Sequence, residues 1–138
     1  MGTQENVQLV KDGYAAFARG DIQGLLTLLS EDIEWVVPGA ELPLAGTYRG
    51  HDGVANFFQK LALESETLAF EPREFVAEGD RVLVVGWERA KVKATNRTAE
   101  VDWIMSFTVR NGKIAIFREY ADTKALADAY GSIARAAV

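Results

Sequence analysis

The chain has 138 residues, of which 49% are hydrophobic and 25% charged, and its formal net charge is −5. This composition is typical of a folded globular domain, and the acidic balance argues against binding to nucleic acid or to an anionic membrane surface. The absence of cysteine, the single histidine and the lack of a signal peptide or bilayer-spanning stretch predict one cytoplasmic domain over residues 1–138, without a metal site.

The N-terminal part of the sequence predicts two helices and a strand. Apolar residues recur at three- and four-residue spacing from Thr3 to Arg19, which indicates a first helix. Gly20 suits the end of that helix and Asp21 the N-cap of a second helix, which we expect to continue to Leu29. A strand is expected from Ile33 to Val37.

The segment Pro38–Gly50 contains two prolines and three glycines and has no periodicity, so we predict a loop at the rim of a pocket. A third helix carrying Val54 and Leu61 should follow, capped by His51 and Asp52. For His51, capping or surface exposure is one interpretation, and a proton shuttle at the mouth of the pocket is the other.

The remaining sequence predicts a β-meander and a last helix, because its apolar residues alternate between turn signals such as Asn111-Gly112. The expected elements are Leu68–Ala77, Val82–Ala94, Thr98–Val109, Ile114–Ala121 and the helix Thr123–Ala136. Helices, a meander and a final helix indicate an α+β fold, with a curved antiparallel sheet around the N-terminal helices, and exclude a doubly wound parallel sheet.

Alternation along the strands predicts which side chains point inward. A two-residue turn at Thr95-Asn96 would pair Glu88 with Trp103. A two-residue turn at Asn111-Gly112 would pair Met105 with Arg118. These registers direct Glu119 away from the apolar face. They assign four polar side chains to that face: Glu88, Arg118, Tyr120 and Asp122.

Charged side chains are rarely buried without partners, so an interior Arg118 near Asp122 and Glu88 predicts a functional cluster. The alternative is a structural ion pair at the end of the sheet, with Asp122 or Thr123 capping the last helix. A bulge at Gly86-Trp87 would reverse the faces beyond it.

Glu71 and Arg73 flank Pro72 in the first strand of the meander. Their orientation is left open, because a proline inside a strand favours a bulge.

Five segments together carry a resemblance to a known family. They are Tyr14–Asp21, Asp32–Pro38, Tyr48–Phe58, Gly79–Val82 and Gly112–Thr123. In their order and spacing the chain resembles the SnoaL-like branch of the nuclear transport factor 2-like superfamily, which also includes ketosteroid isomerase and limonene epoxide hydrolase. The resemblance implies a cone-shaped α+β barrel, a pocket between sheet and helices, and a homodimer through the outer face of the sheet. The outward parity of Trp87 and Ile104 fits such an interface.

The resemblance also assigns residues to roles. Ketosteroid isomerase uses a carboxylate base together with a tyrosine and a neutral acid that stabilise an enolate. Tyr14 corresponds to the tyrosine, but Val36-Val37-Pro38 stands where the base is expected and Met105 where the acid is expected. We therefore do not expect isomerisation by that mechanism.

Two other relatives suggest different acids. The acid/base aspartate of SnoaL-type cyclases corresponds to Asp122. In limonene epoxide hydrolase a carboxylate–arginine–carboxylate set activates water; Glu88 lies near one of those acids, whereas Gly86 stands at the arginine position. Arg118 could replace that arginine in space.

Two functions follow as hypotheses. The first is a cofactor-independent acid/base enzyme, an isomerase, cyclase or hydrolase, acting on a small apolar oxygenated molecule. Asp122 would exchange the proton, Arg118 or Tyr14 would stabilise an oxyanion, and Glu88 would complete the site. The second is a non-catalytic ligand-binding or dimeric association module. The candidate ligand-binding residues are Trp35, Val37, Phe58, Trp103, Met105 and Tyr120.

Overall fold

A computed structural model describes residues 2–131. Four helices lie in this range: α1 (Thr3–Ala18), α2 (Ile22–Leu26), α3 (Gly50–Glu64) and α4 (Thr123–Tyr130). The predicted boundary between the first two helices is confirmed, since Gly20 has a φ of 72° and the Asp21 carboxylate accepts a hydrogen bond from the Gly24 N–H at 2.8 Å. The predicted helical residues Ile133 and Ala136 lie outside the described residues.

Six strands form one mixed sheet, in the order β2-β1-β6-β5-β4-β3. They are β1 (Leu29–Val37), β2 (Gly46–Arg49), β3 (Ser65–Glu78), β4 (Arg81–Val92), β5 (Arg97–Arg110) and β6 (Lys113–Ala121). The four strands of the predicted meander pair antiparallel, and β1 pairs parallel with β6. The predicted α+β class is confirmed. No helix within residues 2–131 is long and apolar enough to cross a membrane.

Two predictions about the N-terminal part are corrected. The strand expected from Ile33 begins at Leu29, because the second helix ends at Leu26. The segment predicted as a loop contains β2, which pairs with β1 through Tyr48 opposite Trp35. The helices α1 and α3 then pack against the sheet, and a fully buried cluster including Ile33 lies between the two layers.

The register between β4 and β5 differs from the prediction by two residues. Glu88 lies opposite Val101, and Gly86 lies opposite Trp103, because the connecting turn spans four residues, 93–96, instead of two. A shift of two keeps every side chain on its predicted face. No bulge interrupts this pair of strands, so the interior position of Glu88 is as predicted.

The register between β5 and β6 contains the bulge that the sequence analysis did not foresee. Val109 lies opposite Ile114 as predicted, but Thr108 lies opposite Ile116, so Ala115 is an extra residue in β6. One extra residue exchanges the two faces of every position beyond it. The positions 117, 119 and 121 therefore face inward, and the even positions face solvent.

The interior placement of three predicted site residues is consequently wrong. Arg118 and Asp122 are exposed, and the Tyr120 side chain is 54% exposed on the outer face. Glu119, predicted to point away, faces inward. The predicted bulge at Pro72 in β3 is confirmed, and there Glu71 and Arg73 form an exposed ion pair at 3.0 Å.

Candidate functional site

A cavity of about 140 Å³ lies between the inner face of the sheet and the helices. Its wall is largely apolar and includes the aromatic residues Trp35, Phe58 and Phe117. The Trp35 ring stacks on Phe117 with centroids 3.9 Å apart, and meets Phe58 edge-on at 5.6 Å. A cavity of this size is comparable to the engineered apolar cavity of about 150 Å³ that binds benzene. It can therefore receive a molecule built on one ring.

Two acidic side chains, Glu88 from β4 and Glu119 from β6, belong to the cavity lining. They lie on opposite sides of Trp103 in β5, because Trp103 pairs with Gly86 on one side and with Ala121 on the other. Neither carboxyl group forms a hydrogen bond or ion pair with any of residues 2–131.

Burial changes the proton affinity of both groups. It raises the pKa of Glu88 from its ordinary 4.5 to about 7. It raises the pKa of Glu119 to about 8, with a further contribution from the negative charge of Glu88. Desolvation destabilises an ionised carboxylate, and no cation among residues 2–131 offsets this cost. Near neutral pH, Glu119 therefore retains its proton more strongly than Glu88 does.

Tyr14 from α1 lines the same cavity and lies close to Glu119. Its hydroxyl donates a hydrogen bond to the Met105 sulfur at 3.2 Å, and Met105 is the cross-strand partner of Glu119. Burial, and secondarily the negative charge of Glu119, raise the pKa of Tyr14 well above its usual value. The hydroxyl thus remains protonated and available as a donor. A thioether is a weak acceptor, which a ligand oxygen can replace.

The other predicted residues divide into two groups. Trp35, Val37, Phe58 and Met105 line the cavity as the ligand-binding prediction requires. Arg118, Tyr120 and Asp122 do not. The Asp122 carboxylate instead accepts a hydrogen bond from the Ala125 N–H at 3.2 Å, which is the helix-capping alternative.

Trp103 does not line the cavity, but it packs against the lining residues Tyr14 and Phe70. Its ring occupies the space beside Gly86, where a Cβ atom would lie 2.3 Å from the indole. An arginine at position 86 cannot share this space with Trp103. The carboxylate–arginine–carboxylate arrangement is therefore not assembled by these strands.

His51 lies near the start of α3 but does not cap it, because the N-cap residue is Arg49. Its Nε2 atom lies 2.9 Å from the Leu29 carbonyl oxygen, to which it donates a hydrogen bond. The half-buried ring thus ties α3 to β1, and it does not line the cavity.

Within residues 2–131, no three side chains of His, Cys, Asp or Glu are grouped so that they could hold a metal ion. Among the polar groups that line the cavity are the carboxyl groups of Glu88 and Glu119 and the phenol of Tyr14. Such groups bind, donate and accept protons.

The raised pKa values predict how stability depends on pH. The folded protein binds protons at Glu88 and Glu119 more tightly than the unfolded chain does, so their stabilising contribution is complete below about pH 4.5 and is lost as the pH rises to about 8. We expect the free energy of unfolding to fall across this range by on the order of 1 kcal/mol per pH unit. Urea denaturation at a series of pH values measures it. Glu119→Gln should flatten the dependence, whereas the exposed control Glu100→Gln should not; an unchanged slope in Glu119→Gln would contradict the assignment.

Comparisons with known proteins identify the family. The family model of the SnoaL-like domain matches residues 10–117 of the chain. The chain belongs to the SnoaL-like family. A solved NTF2-like protein from Burkholderia xenovorans resembles this SnoaL-like chain with 55% identity and a TM-score of 0.88, covering 95% of the chain and 99% of that structure.

Two further relatives of the SnoaL-like chain are informative. The solved structure of TerC, co-crystallised with polyporic acid, is 32% identical with a TM-score of 0.82 and covers 91% of the chain and 97% of TerC. An uncharacterised protein of Mycobacterium tuberculosis is 29% identical over 126 residues, which are 91% of the chain and 95% of that relative.

The residue of this SnoaL-like site that the sequence analysis missed is Glu119. The signal that could have located it is the uninterrupted apolar run Ile114–Phe117, one residue after the Asn-Gly turn. A run without alternation shows that the face cannot be assigned by parity, and a bulge beside a hairpin turn is one of its ordinary causes.

Proposed function

We propose that the chain is a cofactor-independent acid/base enzyme acting on a small, apolar, oxygenated molecule bound in the aromatic cavity. The observation that carries this proposal is the pair of carboxyl groups, Glu88 and Glu119, which face the cavity with raised pKa values and without a partner among residues 2–131. Titratable groups with strongly shifted pKa values are concentrated at functional sites.

The two carboxyl groups suit different roles. Glu88, with the lower pKa, is the candidate base, and Glu119, with the higher pKa, is the candidate acid. In a substrate with a carbonyl group, Glu88 takes a proton from the neighbouring carbon while Glu119 and the Tyr14 hydroxyl donate hydrogen bonds to the carbonyl oxygen. The proton then returns from Glu88 to carbon. No oxidant, reductant or cofactor is consumed.

This assignment resembles the chemistry of ketosteroid isomerase but uses different positions. The neutral acid expected at Met105 is absent, and its cross-strand neighbour Glu119 supplies a carboxyl group beside the same tyrosine. Val37 stands where the base was expected, and Glu88 would take that role from β4. TerC, crystallised with polyporic acid, supports an oxygenated ring compound as the kind of ligand.

Proton exchange at carbon tests the proposal directly. A small cyclic ketone such as cyclohexanone is incubated with the protein in deuterium oxide, and the loss of the signals next to the carbonyl is followed by proton NMR. Saturable acceleration over buffer and over an equal amount of the Glu88→Gln variant is expected. Binding of the ketone without any acceleration would overturn the enzyme hypothesis and leave a ligand-binding module.

We also propose that the chain forms a homodimer through the outer face of the sheet. Large apolar side chains lie side by side there, since Val85 pairs with Ile104 and Ile104 with Tyr120. Ile104 is 42% and Tyr120 54% exposed, and exposed apolar patches commonly mark interfaces. This is the face that the family resemblance associates with dimers.

Ile104→Glu is accordingly expected to produce a monomer, because it introduces a charge into the centre of the proposed interface. Sedimentation equilibrium measures the mass of the wild type and the variant. The matched control is Leu63→Glu on α3, where Leu63 is 77% exposed and away from the sheet face. A monomeric wild type, or an Ile104→Glu dimer, would contradict the proposed interface.

A further inference from the structure

The charged side chains that line the cavity are all acidic. Glu88 and Glu119 belong to the lining, and no lysine, arginine or histidine of residues 2–131 does. The bulge at Ala115 is responsible, because it directs Arg118 to the outer face and Glu119 to the inner face. The strand that could have supplied a counter-cation therefore supplies a second acid.

The remaining lining is rich in aromatic faces. Phe17 and Phe70 pack at 5.0 Å and lie beside Tyr14, whose ring is 6.0 Å from Phe70. Trp35 and Phe117 form a second stacked pair. The face of an aromatic ring carries negative electrostatic potential and attracts cations, most strongly where water is excluded. The two acidic side chains and the aromatic faces therefore both attract a positively charged ligand.

We propose that this cavity binds a small hydrophobic ammonium ion, with its nitrogen beside Glu119 and within the field of Glu88, and its apolar part against the aromatic rings. The inference rests on the same two carboxyl groups as the proposed function, but it requires binding only, not turnover. Such an ion would compete with the oxygenated substrate.

The surroundings of Glu119 agree with this ligand class. Met105 on β5 is its cross-strand partner, and Tyr14 on α1 and Glu88 on β4 lie near enough for their charges to interact with that of Glu119. None of them is cationic. A bound ammonium ion supplies a positive charge and its N–H groups donate hydrogen bonds to the carboxylate, whereas an anionic ligand would add negative charge beside two acidic groups. The cavity volume of about 140 Å³ limits the apolar part to about one ring.

Two probes of nearly equal size test the inference: benzylammonium chloride and benzyl alcohol. Binding to the full chain is measured by isothermal titration calorimetry and by the fluorescence of Trp35 and the other tryptophans. We expect benzylammonium to bind at least about tenfold more tightly than benzyl alcohol near pH 8, where the carboxyl groups ionise most readily. Its affinity should rise between about pH 6 and about pH 8, while that of benzyl alcohol stays constant.

The variant Glu119→Gln should reduce the preference for benzylammonium over benzyl alcohol to less than about threefold. Equal affinity of the two probes for the wild type, or an unchanged preference in Glu119→Gln, would overturn the inference. If Glu119→Gln does not fold, the pH series of the wild type decides alone. Benzylammonium binding without exchange of cyclohexanone protons would refute the proposed function only, and exchange without benzylammonium binding would refute this inference only.

Discussion

Glu88→Gln is expected to lower the rate of proton exchange at carbon by roughly 10²- to 10⁴-fold, the range that a positioned general base contributes. Glutamine has nearly the same shape as glutamate but cannot accept the substrate proton. Because the Glu88 carboxyl group forms no hydrogen bond within residues 2–131, the substitution breaks no hydrogen bond there. The effect should fall on kcat much more than on KM, since the base acts in the transition state.

Glu119→Gln should show a different pattern. Its amide can still donate a hydrogen bond to a carbonyl oxygen, so we expect a smaller loss and a pH profile that no longer shows the group titrating near 8. Asp122→Asn is the matched control, because Asp122 is exposed, lies outside the cavity and caps α4. Full activity in Glu88→Gln, or a large loss in Asp122→Asn, would contradict the assignment of Glu88.

The sequence predicted the layers of this fold well, because long periodic segments determine helix and strand identity. It also predicted the faces of β4 and β5, since a register error of two residues does not exchange faces. Glu88 was therefore assigned correctly to the interior, although its cross-strand partner was not. An error of two residues in turn length leaves the predicted faces of a strand correct but changes its predicted cross-strand partners.

The prediction of the site residues was wrong because of one residue, Ala115. An inserted residue in β6 exchanges the faces of the positions that follow it, so Arg118 and Asp122 were predicted to face inward in place of Glu119. Hydrogen bonding on the other side of β6 helps to explain the insertion. The Ile114 N–H donates to the Leu28 carbonyl oxygen at 2.9 Å, which anchors the start of β6 to the start of β1. This contact joins segments that are distant in sequence, so it could not be predicted from the pattern of β6 alone.

Trp103→Ala is expected to give the largest loss of stability, about 3–5 kcal/mol. The side chain is 2% exposed and packs against Phe70 and Tyr14, with ring centroids 5.1 Å and 6.1 Å away. Truncation leaves a void between the sheet and α1 that these rings cannot fill without moving. Chemical denaturation monitored by far-UV circular dichroism measures the loss. The control Leu63→Ala, at a site 77% exposed, should change stability by less than about 0.5 kcal/mol.

The contact between Trp103 and Gly86 predicts that the stability effects of substitutions at these two positions are energetically coupled. Gly86→Ala alone should cost about 1–3 kcal/mol, since the new Cβ would lie 2.3 Å from the indole and 2.7 Å from the Glu71 carbonyl oxygen. In the Trp103→Ala background the first of these clashes disappears and only the second remains. The cost of Gly86→Ala should therefore fall in the double variant, giving a coupling energy of about 0.5–2 kcal/mol. Additive losses would show that the indole does not occupy the space above Gly86, and the arginine excluded from that position could then be accommodated.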